Sequence, residues 1–324
     1  MPASKRGDPI TAHNIPMPTS RTNLILGIAT CLLSTSLLFA ESVIEYSAPK
    51  KVGKLDKSID ESSGIAASRR RADVLWTHND SGDSPRLFAI DLKGKSLGEC
   101  RLEKIKQVDW EDMASFQLDG QAYLAIGDFG DNAQQRKNVQ LHLVREPEPS
   151  DKKAKVDRTI PFTYENGPID CECLAIDPTR NLVVLVAKGW TPMCEVFTFK
   201  LPDKDDDTQP VARRVATLKL AGATGLDISP DGKRAVVVTY GNAYEYVRGE
   251  NETWGVAFAR EGREIKMPKR KQGEAICYGS DGETLFVTSE HAPSPLFRIK
   301  PKRASTDSKD DKQAPDNYTE EQDR

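Results

Sequence analysis

Short runs rich in Val, Ile, Leu, Phe and Tyr alternate with turn residues over most of this 324-residue chain. Beyond residue 40 no stretch sustains a helical period, so the pattern predicts an all-β chain. The runs recur in ordered sets. "SSGIAAS" begins at Ser62, "WEDMASF" at Trp110, "CECLAID" at Cys171, "ATGLDIS" at Ala223 and "GEAICYG" at Gly273. A turn follows each, then a second run: "VLWTHND", "AYLAIGD", "LVVLVAK", "RAVVVTY" and "TLFVTSE". The turns "LDGQ", "DPTRN", "SPDGK" and "SDGE" carry the Asp-Gly and Asn residues that tight hairpins need for positive φ. Third runs such as "RLFAIDL" and "VQLHLVRE" come next, and most units add a fourth, such as "SLGECRL", "IPFTYE" or "RRVATLKL".

A unit of about fifty residues with about four strands is the signature of a β-propeller, whose blades bury their faces only when neighbours stack on them. The expected fold is therefore an all-β propeller of five four-stranded blades, with six blades, one poorly marked, as the alternative. A β-sandwich fits the ordered repeats badly. The last unit lacks its own fourth strand, because after "PLFRIK" the chain turns into a charged tail almost free of large apolar residues. The stretch "SVIEYSAPKKVGKL", residues 42–55, precedes the first unit and is the natural source of the missing strand. Pairing it with the last blade would close the ring and hide a sheet edge. The predicted organisation is a signal peptide over 1–40, one propeller domain over 41–300 and a disordered tail over 301–324. "EPEPSDKKAKVD" and "PDKDDDTQP" read as long loops between third and fourth strands.

Charge changes this picture little. The formal net charge is −3 with 29% charged residues, which gives no electrostatic reason to expect nucleic acid or a membrane surface as partner. The N-terminus has the form of an export signal: Lys5, Arg6 and Arg21 precede the apolar run Leu24–Ala40, and Ala40 suits a cleavage site. A start at Met17 would shorten its charged region to the usual length. The expected location is periplasmic or secreted, with an uncleaved N-terminal anchor as the alternative. Cys31 lies inside that run; Cys100, Cys171, Cys173, Cys194 and Cys277 follow it, an odd number that leaves at least one thiol unpaired within the chain. Cys171 and Cys173, two apart, are expected on one face of a strand as small buried hydrophobes.

Propeller topology sorts the loops onto two faces. One receives plain turns such as "SPDGK". The other, here called the mouth, receives "HNDSGDSPR", "GDFGDNAQQR", "AKGWTP", "TYGNA" and "SEHAPSP" with the approaches "QVDWED", "PIDCEC" and "KQGEA". Alignment of the first strands places Ser63, Glu111, Glu172, Thr224 and Glu274 at one position, with Asp109 and Asp170 two residues earlier in their units. The ends of the second strands place Asp80, Asp128, Lys188, Tyr240 and Glu290. Two of those loops hold Asp-x-Gly-Asp, Asp80–Asp83 and Asp128–Asp131, each followed by an arginine, Arg86 and Arg136. Carboxylates gathered in this way must protonate, pair with a cation or bind a metal, and Ca²⁺ takes six to eight oxygen ligands in flexible geometry. The expected metal set is Glu111, Asp128, Glu172 and Glu274, for Ca²⁺ or another divalent cation and no organic cofactor. The expected ligand-contacting set is His78, Asp80, Asp83, Arg86, Asp131, Arg136, Lys188, Tyr240 and Glu290. Trp76, Trp110 and Trp190 also fall near this face, where packing under the loops or stacking on a sugar ring are the two readings.

The stretches "GIAASRRRADVLWTHNDSGDSPRLFAIDLKGK", "DWEDMA", "GDFGDN", "ISPDGKRAVVVTYGNAYEY" and "EAICYGSDGETLFVTSE" together resemble a family of exported bacterial β-propeller proteins. The resemblance implies export and the propeller fold, and no particular reaction. More distantly, the layout resembles the regucalcin/gluconolactonase group and the propeller phytases, at the level of fold, which does not carry function. Those groups are commonly six-bladed, and no residue roles are transferred from them. The first functional expectation is a monomeric binding or scaffold module with a small-molecule, glycan or protein ligand at the mouth. No nucleophile–base pair is evident. The alternative is a hydrolase of phosphoesters, lactones or glycosides, in which Glu111, Glu172 and Glu274 divide acid and base roles or hold a metal that activates water.

Overall fold

A computed structural model describes residues 44–302. The expected signal peptide lies outside the described residues, as does the expected tail apart from its first two positions. Strand β1 (Lys50–Lys54) precedes the repeats. The first antiparallel set is β2 (Ser62–Ala67), β3 (Val74–Asn79), β4 (Arg86–Asp91) and β5 (Ser96–Glu103). The second is β6 (Trp110–Leu118), β7 (Gln121–Asp128), β8 (Val139–Arg145) and β9 (Lys153–Tyr164). The third is β10 (Cys171–Asp177), β11 (Leu182–Ala187), β12 (Cys194–Lys200) and β13 (Val211–Leu218). The fourth is β14 (Ala223–Ile228), β15 (Arg234–Thr239), β16 (Ala243–Val247) and β17 (Arg263–Ile265). The last is β18 (Gly273–Tyr278), β19 (Leu285–Ser289) and β20 (Pro295–Ile299), with β1 antiparallel to β20 through Lys51 opposite Phe297.

The chain is thus all-β and rich in sheet, as its alternating runs predict. The expected loop "EPEPSDKKAKVD" is a loop only in its first half, because Lys153 already belongs to β9. That twelve-residue strand makes short parallel pairings with β5 and β13, which join three sets into one twelve-stranded sheet. Among the described residues one helix interrupts the pattern: α1 (Trp254–Phe258), capped by Thr253, whose side chain accepts from the Val256 N–H. It is too short to leave a period in the sequence. Its Trp254 indole donates to Asp177 at 2.9 Å, which docks the helix on the third set. Among the described residues no helix is long and apolar enough to cross a membrane.

Burial follows position within each set. All residues of β2, β10, β14 and β18 are buried, while the outer strand β13 is mostly exposed. Apolar clusters fill the spaces between neighbouring sets. Trp76 and Leu87 of the first pack with Met113 and Ile126 of the second, and Phe88 packs with Phe286 and Leu296 of the last. First strands contact in the order β2, β6, β10, β14, β18 and β2 again.

Every first strand carries a β-bulge at the same place. The register slips between Ser62 and Gly64, Trp110 and Met113, Cys171 and Cys173, Ala223 and Gly225, and Gly273 and Ile276. The displaced position holds Ser63, Glu111, Glu172, Thr224 and Glu274, the residues aligned from sequence. A bulge takes one residue out of the ladder and re-aims its side chain, which frees a polar group in a strand otherwise buried on both faces. The bulge also corrects the expectation for the cysteines. Cys171 and Cys173 pack in different apolar clusters, because the extra residue Glu172 breaks the two-residue alternation. All five described cysteines are free and buried.

Buried carboxylates tie the sets together beneath the bulges. Asp112 accepts the N–H groups of Met113 (2.8 Å), Leu174 (2.9 Å) and Leu226 (2.9 Å), which lie on β6, β10 and β14. Asp227 accepts from Ile228 and from Tyr278 of β18, each at 2.8 Å. Glu146 accepts from the Trp76 indole at 3.0 Å and the Arg69 N–H at 2.9 Å in the first set. Exposed ion pairs such as Arg71–Asp73 contribute little because water screens them, whereas each stranded buried N–H costs about 1–3 kcal/mol. Asp112→Ala is therefore expected to lower the unfolding free energy by about 3 kcal/mol or more, and Asp112→Asn by less, because one acceptor oxygen remains. Urea unfolding curves of both variants measure this.

Candidate functional site

The mouth is built from what enters and leaves each first strand. The residue after β3 returns its N–H to the carbonyl before β2: Asp80 to Glu61 at 3.0 Å. The same tie joins Lys188 to Asp170 (2.9 Å), Tyr240 to Gly222 (3.2 Å) and Glu290 to Gln272 (3.0 Å). In the second set Gly130 makes the bond to Asp109, at 3.2 Å. These repeated ties hold the approach residue, the bulged residue and the strand-end residue of each set side by side.

Asp80, Asp109 and Glu111 form the tightest acidic group, with one carboxylate oxygen of each within 4.8 Å of the others. Gly130 makes room for it. A Cβ there would lie 2.0 Å from Glu111 Oε1 and 2.6 Å from Asp109 Cγ, so the second glycine of "GDFGDN" is required by the carboxylates. Burial, then repulsion from Glu172, Asp80 and Asp109, raises the Glu111 pKa well above the ordinary glutamate value. Burial pushes Asp80 up to about 6, with Asp109 and Glu61 adding repulsion.

Glu172, Glu274 and Glu290 continue this group across the mouth. Lys188 Nζ binds Glu172 Oε1 at 2.8 Å. Burial alone would lower the Lys188 pKa, but Glu172 outweighs it and keeps the ammonium charged. Burial and the charges of Glu290 and Glu172 push Glu274 up to about 9, and its Oε2 is buried without a hydrogen-bond partner. Glu290 accepts from Gln272 Nε2 at 2.6 Å and is pushed up to about 7, by burial first and then by Asp80 and Glu61. Six carboxylates therefore share one close ammonium, Lys188, while Arg136 acts on Asp109 and Arg270, half-exposed, interacts with Glu274.

Several expected members lie elsewhere. Asp128 does not join the acidic group. It ends β7 opposite Trp110, the place that Asn79 takes in β3 opposite Ser62, so the two Asp-x-Gly-Asp segments are offset by one residue. A one-residue shift in a strand reverses the side chain's face. The Asp128 carboxylate accepts from Val108 N–H (3.0 Å), Asp109 N–H (3.3 Å) and Arg136 (2.7 Å). Burial would raise its pKa, but His142 Nε2 at 3.8 Å and Arg136 outweigh this and hold it below the ordinary aspartate value. Asn79 does the same work in the first set, accepting from Glu61 N–H at 3.3 Å and donating to Asp83 at 2.9 Å.

The remaining loop residues serve the loops themselves. Asp83 pairs with Arg86 at 2.8 Å, and Arg86 reaches Glu99 at 3.1 Å. Asp131 accepts from Gln135 and Arg136 backbone N–H groups, and Arg136 donates to the Gly130 carbonyl. His78 is fully buried, donates from Nδ1 to the Asn79 carbonyl and is pulled down to about 4 by burial, so it stays neutral. Of the expected ligand set, Asp80, Lys188, Tyr240 and Glu290 stand at the mouth. Glu61 and Gln272 were not singled out. Their signal is the position directly before a first strand, shared with Asp109 and Asp170. The tryptophans separate cleanly: Trp76 and Trp110 are core residues, while Trp190 is 72% exposed and stacks on Tyr240.

No protein-family model and no curated protein matches the chain. Among solved structures, a gluconolactonase from Xanthomonas campestris is similar at 10% identity, over 80% of this chain and 96% of that one, with a TM-score of 0.43. At that level nothing about reaction or site passes to this chain.

Groups whose pKa rises on folding stabilise the fold in their protonated form, so that stability is lost as pH climbs through the raised values. In chelator, the melting temperature is expected to fall from about pH 7 to about pH 9 because folded Glu274 keeps a proton there that the unfolded chain has lost, the Glu290 contribution being already lost by about pH 7. His78 adds no slope there, since it is already neutral. Glu274→Gln should flatten the fall, which differential scanning calorimetry across that range reads directly.

Proposed function

We propose that this chain is an exported five-bladed β-propeller, its ring closed by β1, that binds a divalent cation at the mouth, Ca²⁺ first, and presents it to a ligand. The pairing of β1 with β20 and the cyclic contacts of the first strands support five blades and closure. The apolar run Leu24–Ala40 behind three basic residues supports export.

One observation carries the cation reading. Asp80, Asp109 and Glu111 converge within 4.8 Å beside further buried carboxylates, answered only by Lys188 on Glu172 and Arg136 near Asp109. A hard cation with oxygen ligands relieves that repulsion better than protons do. His78 and the five described thiols are buried, so none of them offers the mouth a ligand. Binding must displace protons from Glu111 and Asp80, so affinity should rise with pH through about 6, where Asp80 titrates.

Calorimetric titration of chelator-treated protein with CaCl₂ is expected to give saturable heat, tighter at neutral than at acidic pH. Glu111→Gln and Gly130→Ala should each weaken binding about tenfold or more, the second by displacing Glu111 and Asp109 rather than by unfolding. Absence of heat and of any melting shift at millimolar calcium would sink the reading.

A second reading, hydrolysis at the same site, is favoured by Glu274. Its unpartnered, proton-retaining carboxyl has the form of a general acid. Chromogenic glycosides, phosphoesters and lactones test it. Turnover that survives combined substitution of Glu111, Glu172 and Glu274 by Gln eliminates these residues as its source.

A further inference from the structure

Trp190 stands apart from the other described tryptophans. Trp76, Trp110 and Trp254 are buried to 1% exposure or less, whereas Trp190 is 72% exposed in the loop between β11 and β12. It is nevertheless held in place. Its ring stacks on Tyr240 of the next set with centroids 5.9 Å apart and planes 23° from parallel. The two loops are tied by Gly222 N–H to the Gly189 carbonyl at 2.7 Å, and by Tyr240 N–H to the Gly222 carbonyl at 3.2 Å. One aromatic face is thus backed and positioned, and most of the indole surface is left to solvent.

Lys188 connects this pair to the carboxylates. Its Nζ lies 5.5 Å from the Trp190 ring centroid and 5.6 Å from that of Tyr240, and binds Glu172 at 2.8 Å. Tyr240 in turn lies within electrostatic reach of Glu274. An open aromatic plane beside hydrogen-bonding charged groups suits a ligand with an apolar face and a polar rim. A pyranose ring has that shape: its axial C–H groups present a flat apolar surface, and its hydroxyls radiate at the edge. A large aromatic that is both open to solvent and backed by a second ring, beside hydrogen-bonding charged groups, offers such a ligand a stacking surface. An organic cation fits less well, because Lys188 already occupies the cation position against both rings.

We propose that Trp190, backed by Tyr240, is the stacking platform of a carbohydrate subsite whose sugar hydroxyls reach Lys188 and the mouth carboxylates. This rests on the reading of the mouth as a ligand site, and it narrows the ligand to a glycan. It does not require that the acidic group hold calcium.

The test uses the full-length protein and trisaccharides of glucose, mannose, galactose and N-acetylglucosamine, read by tryptophan fluorescence and calorimetry, with and without calcium. At least one trisaccharide is expected to give a saturable change in emission. Trp190→Ala should weaken that binding about tenfold or more, and Trp190→Phe should restore part of it. Neither variant should unfold the protein or abolish calcium binding, since Trp190 is exposed and reaches the carboxylates only through Lys188. Sugar binding without calcium binding would uphold the subsite and remove the cation reading. Failure of all four trisaccharides to bind, equal binding by Trp190→Ala, or Trp190-dependent binding of tetramethylammonium in place of sugars would each overturn the proposal.

Discussion

Asp112 accepts three backbone N–H groups from three different first strands, at 2.8–2.9 Å, directly beside the bulged Glu111. The first strands have no backbone ladder between them, so the bonds that cross must come from side chains. Asp112 and Asp227 supply them in the interior, and farther out Glu146 ties the second set to Trp76 of β3. Such bonds matter because the alternative is not water but an unsatisfied donor in a closed core. The mouth depends on this layer. Without fixed strand spacing, the bulged glutamates would have no common place to meet.

The repeated bulge gives the site its character. First strands are buried on both faces, and a charged residue in regular alternation there would have to be neutralised within the core. Displacing one residue from the ladder delivers Glu111, Glu172 and Glu274 to the mouth while the strand below stays apolar. The result is a cluster whose members hold protons more tightly than ordinary carboxylates, by burial first and by mutual repulsion second. Its charge state is set first by burial and then by neighbouring carboxylates, as Glu290 of the same set and Glu172 of another act on Glu274.

The two Asp-x-Gly-Asp loops show how one short pattern serves different ends. In the first loop, Asp80 faces the acidic group and Asp83 holds Arg86. In the second, Asp128 holds Arg136 and Asp131 organises the turn, while the glycine between them makes room for Glu111. The likeness of the loops is real at the level of turn chemistry. Their function diverges because each is set one residue differently against its strand.

Much of this was legible in the sequence. Alternating apolar runs, hairpin turns and a regular spacing dictate all-β sets of antiparallel strands, because those properties are local and repeat. The aligned position holding Ser63, Glu111, Glu172, Thr224 and Glu274 was likewise visible, since equivalent places in a repeat are equivalent in space. Tertiary structure alone decided which neighbours those residues meet. Counting residues could not reveal the bulge that separates Cys171 from Cys173, nor the shift that gives Asp128 the role of Asn79. It could not distinguish Trp190 at the surface from Trp110 in the core. The physical reason is that strand side chains alternate with a period of two: a displacement of one residue, set by pairing with a partner far along the chain, exchanges core for solvent.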